Sequence, residues 1–146
     1  MKTKKIVIAS DHAGFELKEK MVDYLKSKNF IVEDLGSHSS DSVDYPDYGH
    51  ALANHVASKR YDAGFSLCGS GNGINITANK HPEIRSALCW RKEIAELARS
   101  HNDANICALP AWFITFKQAC EIVDAFLSTP FEGGRHKRRI EKIPVK

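Results

Sequence analysis

The stretch Ala63-Gly64-Phe65-Ser66-Leu67-Cys68-Gly69-Ser70-Gly71-Asn72-Gly73 joins an apolar run to a loop with three glycines. The first six residues have the length and composition of a buried β-strand. The glycines allow a sharp turn in which several backbone N–H groups point to one place, and Ile74-Asn75-Ile76 follows as the start of a helix. The stretch therefore predicts a strand, an anion-binding turn and a helix in direct succession.

Four further apolar runs of similar length are spaced along the chain. Helical periodicities lie between these runs, and such alternation is typical of parallel βαβ units. We therefore expect an α/β fold with an open, doubly wound sheet of five parallel strands, whose ligands bind beyond the carboxyl ends of the strands. The five strands are predicted at residues 6–9, 30–32, 63–68, 87–89 and 106–109.

Amphipathic helices are predicted on either side of the central strand. Apolar residues recur at helical spacing over residues 17–25 and again over residues 48–56. Thr115 and Gln118 form a capping-box pattern before an apolar stripe, and Pro130 ends that helix. Each of these segments has one face that is suited to burial against a sheet.

The composition is that of a soluble globular protein, with 42% hydrophobic and 27% charged residues in a chain of 146. This length suits one domain, which we assign to residues 1–146. The first apolar run ends at Ser10 and Asp11 and is too short for a signal peptide or a membrane span, so we expect a cytoplasmic protein with no membrane partner. The four cysteines form no C-x-x-C pair, which favours reduced thiols.

Polar and titratable residues lie next to three of the predicted strands. Ser10-Asp11-His12 follows the first strand, Cys68 ends the third, and His101-Asn102-Asp103 precedes the fifth. Because a doubly wound sheet binds its ligands at one edge, we expect these groups to gather there.

Cys68 stands immediately before the glycine loop. A thiol close to a helix start and to converging N–H groups is expected to have its pKa lowered from about 8.5, so that its thiolate could act as a base. Two plainer interpretations stay open, namely an inert core thiol and a simple tight turn. The spacing G-x-G-x-G matches neither the full dinucleotide fingerprint nor the phosphate loop of nucleotide-binding proteins.

A basic segment, Arg135-His136-Lys137-Arg138-Arg139, contributes much of the net charge of +3. Arg135 and Arg139 are four positions apart, so a helix would place both guanidinium groups on one face, where they suit a dianionic phosphate. A solvated tail and a nucleic-acid-binding tail are the alternatives. The segment has no aromatic residues for base stacking, and we do not expect a nucleic-acid partner.

The chain has 7 histidines and 4 cysteines, yet no pair has the usual spacing of metal ligands on one element. We therefore expect no catalytic metal. His12 and His101 stand among other polar groups and are candidates for ligand binding, with a plain surface position as the alternative. The other histidines have weaker claims: His38, His50, His55, His81 and His136.

Six motifs together resemble one known family. They are Ser10-Asp11-His12-Ala13-Gly14-Phe15, Asp44-Tyr45-Pro46, Cys68-Gly69-Ser70-Gly71-Asn72-Gly73, Asn79-Lys80, His101-Asn102-Asp103-Ala104-Asn105 and Glu132-Gly133-Gly134-Arg135-His136. In this order they resemble the type B ribose-5-phosphate isomerases, a family that includes the galactose-6-phosphate isomerase subunits. The resemblance covers nearly the whole chain, and six ordered motifs are far more specific than one.

The resemblance implies a Rossmann-like three-layer α/β/α sandwich with a five-stranded parallel sheet. It implies a homodimer with active sites between the subunits, with a tetramer as an open alternative. The implied reaction is the interconversion of D-ribose 5-phosphate and D-ribulose 5-phosphate through an enediolate, in the non-oxidative pentose phosphate pathway. The implied partner is a small sugar phosphate, and neither a cofactor nor a metal is implied.

The resemblance also implies roles for single residues. Cys68 would be the base that moves a proton between C2 and C1, and Ser70, where many members have threonine, would hydrogen-bond the substrate oxygen at the reacting carbon. His101 would open the furanose ring as an acid. The enediolate oxygen would be stabilised by the backbone N–H groups of Gly69, Gly71, Asn72 and Gly73. The residues implied near the sugar hydroxyls are Asp11, Tyr45 and Asn102.

The phosphate would be held by His12, Arg135 and Arg139. One departure concerns Trp112, which stands where many members carry an arginine that also contacts the phosphate. Losing a charge-assisted hydrogen bond weakens binding unless other cations compensate, and an indole could stack on a different sugar. The alternatives are therefore an isomerase of allose 6-phosphate or galactose 6-phosphate, and a catalytically weak protein that binds phosphorylated sugars.

Overall fold

The computed structural model describes residues 3–146; Met1 and Lys2 of the basic N-terminus lie outside the described residues. Strands and helices alternate along the chain until two helices end it. The strands are β1 (Lys5–Ser10), β2 (Ile31–Asp34), β3 (Ala63–Cys68), β4 (Ser86–Leu88) and β5 (Ile106–Pro110). The helices are α1 (Phe15–Ser27), α2 (Tyr45–Ala57), α3 (Asn72–Ala78), α4 (Lys92–Ser100), α5 (Phe116–Ser128) and α6 (Arg135–Ile140).

All five strands are parallel and form one sheet in the order β2-β1-β3-β5-β4. In this register Ser10 lies opposite Leu67, and Cys68 lies opposite Pro110. The carboxyl ends of the three central strands therefore share one edge of the sheet. This arrangement confirms the predicted five-stranded parallel sheet.

Helices cover both faces of the sheet, which confirms the three-layer architecture. Side chains alternate between the two faces along each strand, because successive Cβ atoms of a strand point in opposite directions. Ile6 and Ile8 enter the core under α1, α4 and α5, whereas Val7 and Ala9 enter the smaller core under α2 and α3. Since β3 and β5 are buried on both faces, they are almost continuously apolar.

The capping box predicted at the start of α5 is present. The Gln118 N–H donates to the Thr115 hydroxyl oxygen at 3.1 Å, and the Thr115 N–H donates to the Gln118 side-chain oxygen at 2.9 Å. The helical pattern expected between the fourth and fifth strands is present as α4. Its buried residues are Ala95 and Ala98, whose small side chains let the helix pack closely on the sheet.

A buried lysine ties α1 to the end of β2. The Lys18 side chain is fully buried, and its Nζ lies 2.6 Å from Asp34 Oδ2 and 2.7 Å from Glu19 Oε1. Asp34 also accepts the N–H of Gly36 at 2.9 Å. Because a buried charge is tolerated only when it is paired, these contacts fix the loop that follows β2 at the carboxyl edge of the sheet.

Among the helices of residues 3–146, none combines the length and the apolar character that a bilayer crossing requires. All four cysteines are free; Cys68, Cys89 and Cys107 are buried, and Cys120 is half-buried.

Candidate active site

Asp11 and Cys68 meet where β1 and β3 end side by side. The Asp11 N–H donates to the Leu67 carbonyl at 3.2 Å, and the Asp11 carboxylate accepts the N–H of Gly14 at 3.1 Å. Asp11 is 6% exposed and Cys68 is 5% exposed. The parallel pairing of two strands therefore places a buried carboxylate next to a buried thiol.

The glycine loop turns directly from β3 into α3. Gly71, the residue that precedes α3, has a φ of +78°, a left-handed conformation that favours glycine. The Ser70 hydroxyl oxygen accepts the N–H of Asn72 at 3.2 Å. Backbone N–H groups of Ile74, Gly71 and Gly73 lie near enough to the Cys68 sulfur to lower the pKa of the thiol. The predicted cradle of N–H groups is thus present, and its donors face the sulfur.

Burial raises the pKa of the Cys68 thiol above its usual value, and the negative charge of Asp11 raises it further. The N–H groups of the loop lower the pKa, but they do not compensate for the loss of water. The sequence-based expectation of a lowered pKa is therefore wrong. At neutral pH the resting thiol keeps its proton.

The three glycines of the loop leave room for side chains from three other elements. A Cβ atom at Gly69 would lie 2.6 Å from the Trp112 ring, and one at Gly73 would lie 2.5 Å from the Tyr45 ring. A Cβ atom at Gly71 would overlap the Leu88 side chain. Contacts this short exclude a side chain, so the glycines are needed for close packing as well as for the turn.

Trp112 lies on the backbone of the loop. The backbone N–H of Trp112 donates to the Gly69 carbonyl at 2.9 Å, and the backbone N–H of Ala111 donates to the Cys68 carbonyl at 3.0 Å. The indole covers Gly69 with one face, yet the residue is 71% exposed. The position thus offers an exposed aromatic surface and no positive charge.

His12 and Tyr45 flank the loop on the side of β1. The His12 Nδ1 accepts the N–H of Val43 at 3.1 Å, so in this arrangement the ring proton sits on Nε2. His12 can therefore donate a hydrogen bond to an anion while it is neutral. Tyr45 is the first residue of α2 and is 41% exposed.

A cleft of about 780 Å³ opens on the other side of the loop. Ser70 and Asn72 line it together with Trp90 and Phe113, which are both exposed. Two cations that the sequence analysis did not single out also line this cleft: Arg91, which pairs with Glu93 at 2.8 Å, and Lys92. Their position could not be read from the sequence, because no motif marks them.

His101 and Asn102 do not join Cys68 at the carboxyl edge, so the expectation that all these groups gather there is wrong. A helix after a parallel strand runs back across the sheet, and α4 therefore ends, at His101, near the amino end of β5. The Asn102 carbonyl accepts a hydrogen bond from Arg85, just before β4, at 2.8 Å. Cys68 lies opposite Pro110 at the carboxyl end of β5, so the length of β5 separates Cys68 from the amino edge of the sheet by about 13 Å within one chain.

The predicted phosphate ligands Arg135 and Arg139 also lie away from the loop. They are exposed and one turn apart on α6, which confirms the predicted helix. The start of α6 is close to His101, because the rings of His136 and His101 stack at a centroid distance of 4.2 Å. Burial lowers the pKa of His136, and the charges of His101 and both arginines lower it further. Sequence reasoning gave His136 only a weak claim.

One chain therefore carries two groups of functional side chains on opposite edges of its sheet. The carboxyl edge has a thiol, a carboxylate, a neutral histidine and a loop of N–H donors, which suit proton transfer next to a developing oxyanion. The amino edge has His101, Asn102 and two arginines, which suit proton donation and phosphate binding. Both groups can contact one small molecule only if they come from different chains.

The sequence profile of the family described as Ribose/Galactose Isomerase matches residues 6–143. Ribose-5-phosphate isomerase B of Escherichia coli is 42% identical over 140 residues, which are 96% of this chain and 94% of that protein. A ribose 5-phosphate isomerase structure from Thermotoga maritima is similar with a TM-score of 0.95 and 55% identity, covering 97% of each chain. Ribose-5-phosphate isomerase B from Mycoplasma genitalium, solved with bound ribulose-5-phosphate, has a TM-score of 0.90 and 42% identity, covering 95% of this chain and 93% of that one.

The contact between Trp112 and Gly69 predicts a specific packing defect. Gly69→Ala should displace the indole, change its fluorescence in a Trp90→Phe background and lower the free energy of unfolding by about 1 to 3 kcal/mol. Adding Trp112→Ala should remove most of this penalty, since the clashing ring is gone. Urea unfolding and the emission spectrum of Trp112 measure both effects. Unchanged emission and stability in Gly69→Ala would contradict the contact.

Proposed function

The chain belongs to the ribose/galactose isomerase family, and on that basis we propose that it interconverts D-ribose 5-phosphate and D-ribulose 5-phosphate. The single observation that carries this proposal is the buried Cys68 thiol, which faces the N–H groups of the glycine loop beside Asp11. An aldose–ketose isomerisation moves one proton between adjacent carbons and needs no net oxidant. A base beside a set of oxyanion donors is the apparatus that such a reaction requires.

In the proposed mechanism, the Cys68 thiolate removes the proton from C2 of the open-chain aldose. The electron pair moves into an enediolate, whose oxygen accepts hydrogen bonds from the loop N–H groups of Gly69, Gly71, Asn72 and Gly73. The thiol then returns the proton to C1 while the hydroxyl proton passes from the C2 oxygen to the C1 oxygen, which gives the ketose. Ser70 hydrogen-bonds the oxygen at the reacting carbon, and its position in the loop between two of these donors supports this role.

Recognition of the sugar is assigned to residues at both edges. His101 donates the proton that opens the furanose ring, and Asn102, Asp11 and Tyr45 lie near the sugar hydroxyls. The assignment of Tyr45 is supported by the packing of its ring against Gly73, which brings the phenol to the glycine loop.

The phosphate is assigned to His12, Arg135 and Arg139. The Nε2 proton of His12 and the shared face of the two arginines on α6 support this assignment. Binding energy from the phosphate, which does not react, positions C1 and C2 against the thiol. Trp112 contributes no charge, so Arg135 and Arg139 have to supply the positive charge that binds the phosphate.

We propose a homodimer in which each active site combines both edges. The His101 edge of one subunit then covers the Cys68 loop of its partner, and a two-fold axis creates two identical sites. The separation of about 13 Å within one chain supports this arrangement, because a single subunit cannot close the site. We place this single-domain enzyme in the cytoplasm and its reaction in the non-oxidative pentose phosphate pathway.

Removal of the proposed base tests the function. Cys68→Ala should lower kcat/KM for ribose 5-phosphate by about 10²- to 10⁴-fold, as expected for loss of a general base, with the fold retained. Cys120→Ser is the matched control, because Cys120 is half-buried on α5 and should retain full activity. The assay is run with a chelator present, and allose 6-phosphate and galactose 6-phosphate should be poorer substrates. Full activity of Cys68→Ala would remove Cys68 from the mechanism.

The raised pKa of Cys68 predicts the pH dependence. Because the resting thiol is protonated at neutral pH, the thiolate fraction rises about tenfold for each pH unit until the pH reaches the thiol pKa. The value of kcat/KM should therefore increase from about pH 6 to about pH 9. The ultraviolet absorbance of the thiolate, measured as wild type minus Cys68→Ala, should follow the same curve. A rate that is independent of pH over this range would contradict the assignment.

Mixing two inactive variants tests the shared site. Cys68→Ala and His101→Ala should each be inactive, and unfolding and refolding them together should restore about one quarter of the wild-type activity. Half of the dimers are then mixed, and each mixed dimer has one site with both residues intact. No recovery, with mixed dimers demonstrated by a size or charge tag, would show that both residues act from one chain.

A further inference from the structure

Three side chains that can bind metals come together at the amino edge of the sheet. One ligand atom from each of His101, Glu132 and His136 lies within 4.8 Å of the other two. His101 caps the end of α4, Glu132 lies in the turn that leads into α6, and His136 is in the first turn of α6. Because Glu132 lies 31 positions after His101, no motif in the sequence predicts this cluster.

Backbone hydrogen bonds hold the cluster together. The Glu132 N–H donates to the Ser100 carbonyl at 3.0 Å, next to His101, and the His136 N–H donates to the Gly133 carbonyl at 3.2 Å. The two imidazole rings are stacked, with 13° between their planes. The backbone therefore brings the three side chains together, with the two imidazole planes nearly parallel.

The Nε2 atom of His136 is an unpartnered buried polar atom. His136 is 6% exposed, and its Nε2 makes no hydrogen bond to any of residues 3–146. The nearest acceptor is Glu132 Oε1 at 3.6 Å, which is beyond hydrogen-bonding distance. Buried polar side-chain atoms nearly always have a partner, so this nitrogen is available to a group from outside its own chain, such as a bound ion.

We propose that His101, Glu132 and His136 bind a divalent transition-metal ion, for which zinc is the best match. Two imidazole nitrogens and one glutamate oxygen form a ligand set that zinc uses in proteins, with a fourth position left to water. Ligand atoms around a tetrahedral zinc lie about 3.4 Å apart. The cluster therefore has to contract, and the half-buried His101 ring has to rotate out of the stack so that both imidazole nitrogens point at one ion. The Glu132 side chain is 55% exposed and free to rotate towards the ion.

Arg135 and Arg139 face the same region and oppose the charge of a cation. Both are exposed, so solvent and salt screen this repulsion, and the Glu132 carboxylate offsets part of it. The site should therefore bind zinc reversibly and release it to a chelator.

The consequence for catalysis rests on the proposed function. An ion on His101 occupies the nitrogen lone pair, and that histidine can no longer carry the proton that opens the sugar ring. Zinc should therefore inhibit the isomerase, with full recovery when the ion is removed.

Direct titration with zinc, followed by calorimetry, tests the site on the full-length protein. We expect one ion per chain and at least tenfold weaker binding in Glu132→Gln. Glu132 is exposed, so this variant should fold, and circular dichroism checks it. His136→Gln should weaken binding to the same extent. Unchanged affinity in a folded Glu132→Gln would overturn the proposal.

Two controls separate this site from other places where zinc could bind. His50 and His81 form a second histidine pair, with 2.8 Å between Nδ1 of His50 and Nε2 of His81, and the double variant His50→Gln/His81→Gln should keep the tight site. Cys68→Ala should keep it as well. Loss of binding in Cys68→Ala with retention in Glu132→Gln would place the ion on the thiol and overturn the proposal.

The activity assay distinguishes failure of the metal site from failure of the proposed function. Zinc should slow ribose 5-phosphate isomerisation by the wild type. Each rate is expressed as a fraction of the zinc-free rate of the same protein, and Glu132→Gln should need a higher zinc concentration for the same fractional inhibition. Binding at the cluster without inhibition would overturn the inhibitory effect and the role of His101. An enzyme that is active with chelator but binds no zinc at the cluster would overturn the metal site alone.

Discussion

The parallel hydrogen bonding of β1, β3 and β5 is the constraint on which the rest of the structure depends. Its register brings the ends of these strands to one edge, where Asp11 follows β1 and Cys68 ends β3. The glycine loop can stay at this edge because it has no side chains at the points where Tyr45 and Trp112 pack. Strand pairing and close packing therefore fix the thiol, its charged neighbour and its N–H donors together.

The same constraint divides the functional residues of one chain. Strands that run in one direction require return helices, so the end of α4 lies at the edge opposite the one where β3 ends. His101 and the two arginines of α6 are consequently on the far side of the sheet from Cys68. In the proposed dimer the two-fold axis removes this separation, which makes catalysis depend on assembly as well as on folding.

Burial has opposite effects on the geometry and the ionisation of the thiol. It fixes Cys68 against the loop and excludes water, but it also raises the pKa of the thiol, and Asp11 adds to this effect. The N–H groups of the loop oppose both influences without reversing them. A thiolate with a raised pKa is a stronger base once it forms, which suits removal of a proton from carbon.

The sequence by itself determined the features that depend on local spacing: the five parallel strands, the glycine turn of residues 68–73, and the helix that begins after Thr115. Periodicity and turn chemistry depend on residues that are close in sequence, so both can be recognised in a single amino-acid sequence. Only the tertiary structure decided that the pKa of Cys68 is raised, that Trp112 lies on the loop, and that His101 stacks on His136. Desolvation and contacts between distant segments set these features, and both arise only when the folded chain brings the segments together.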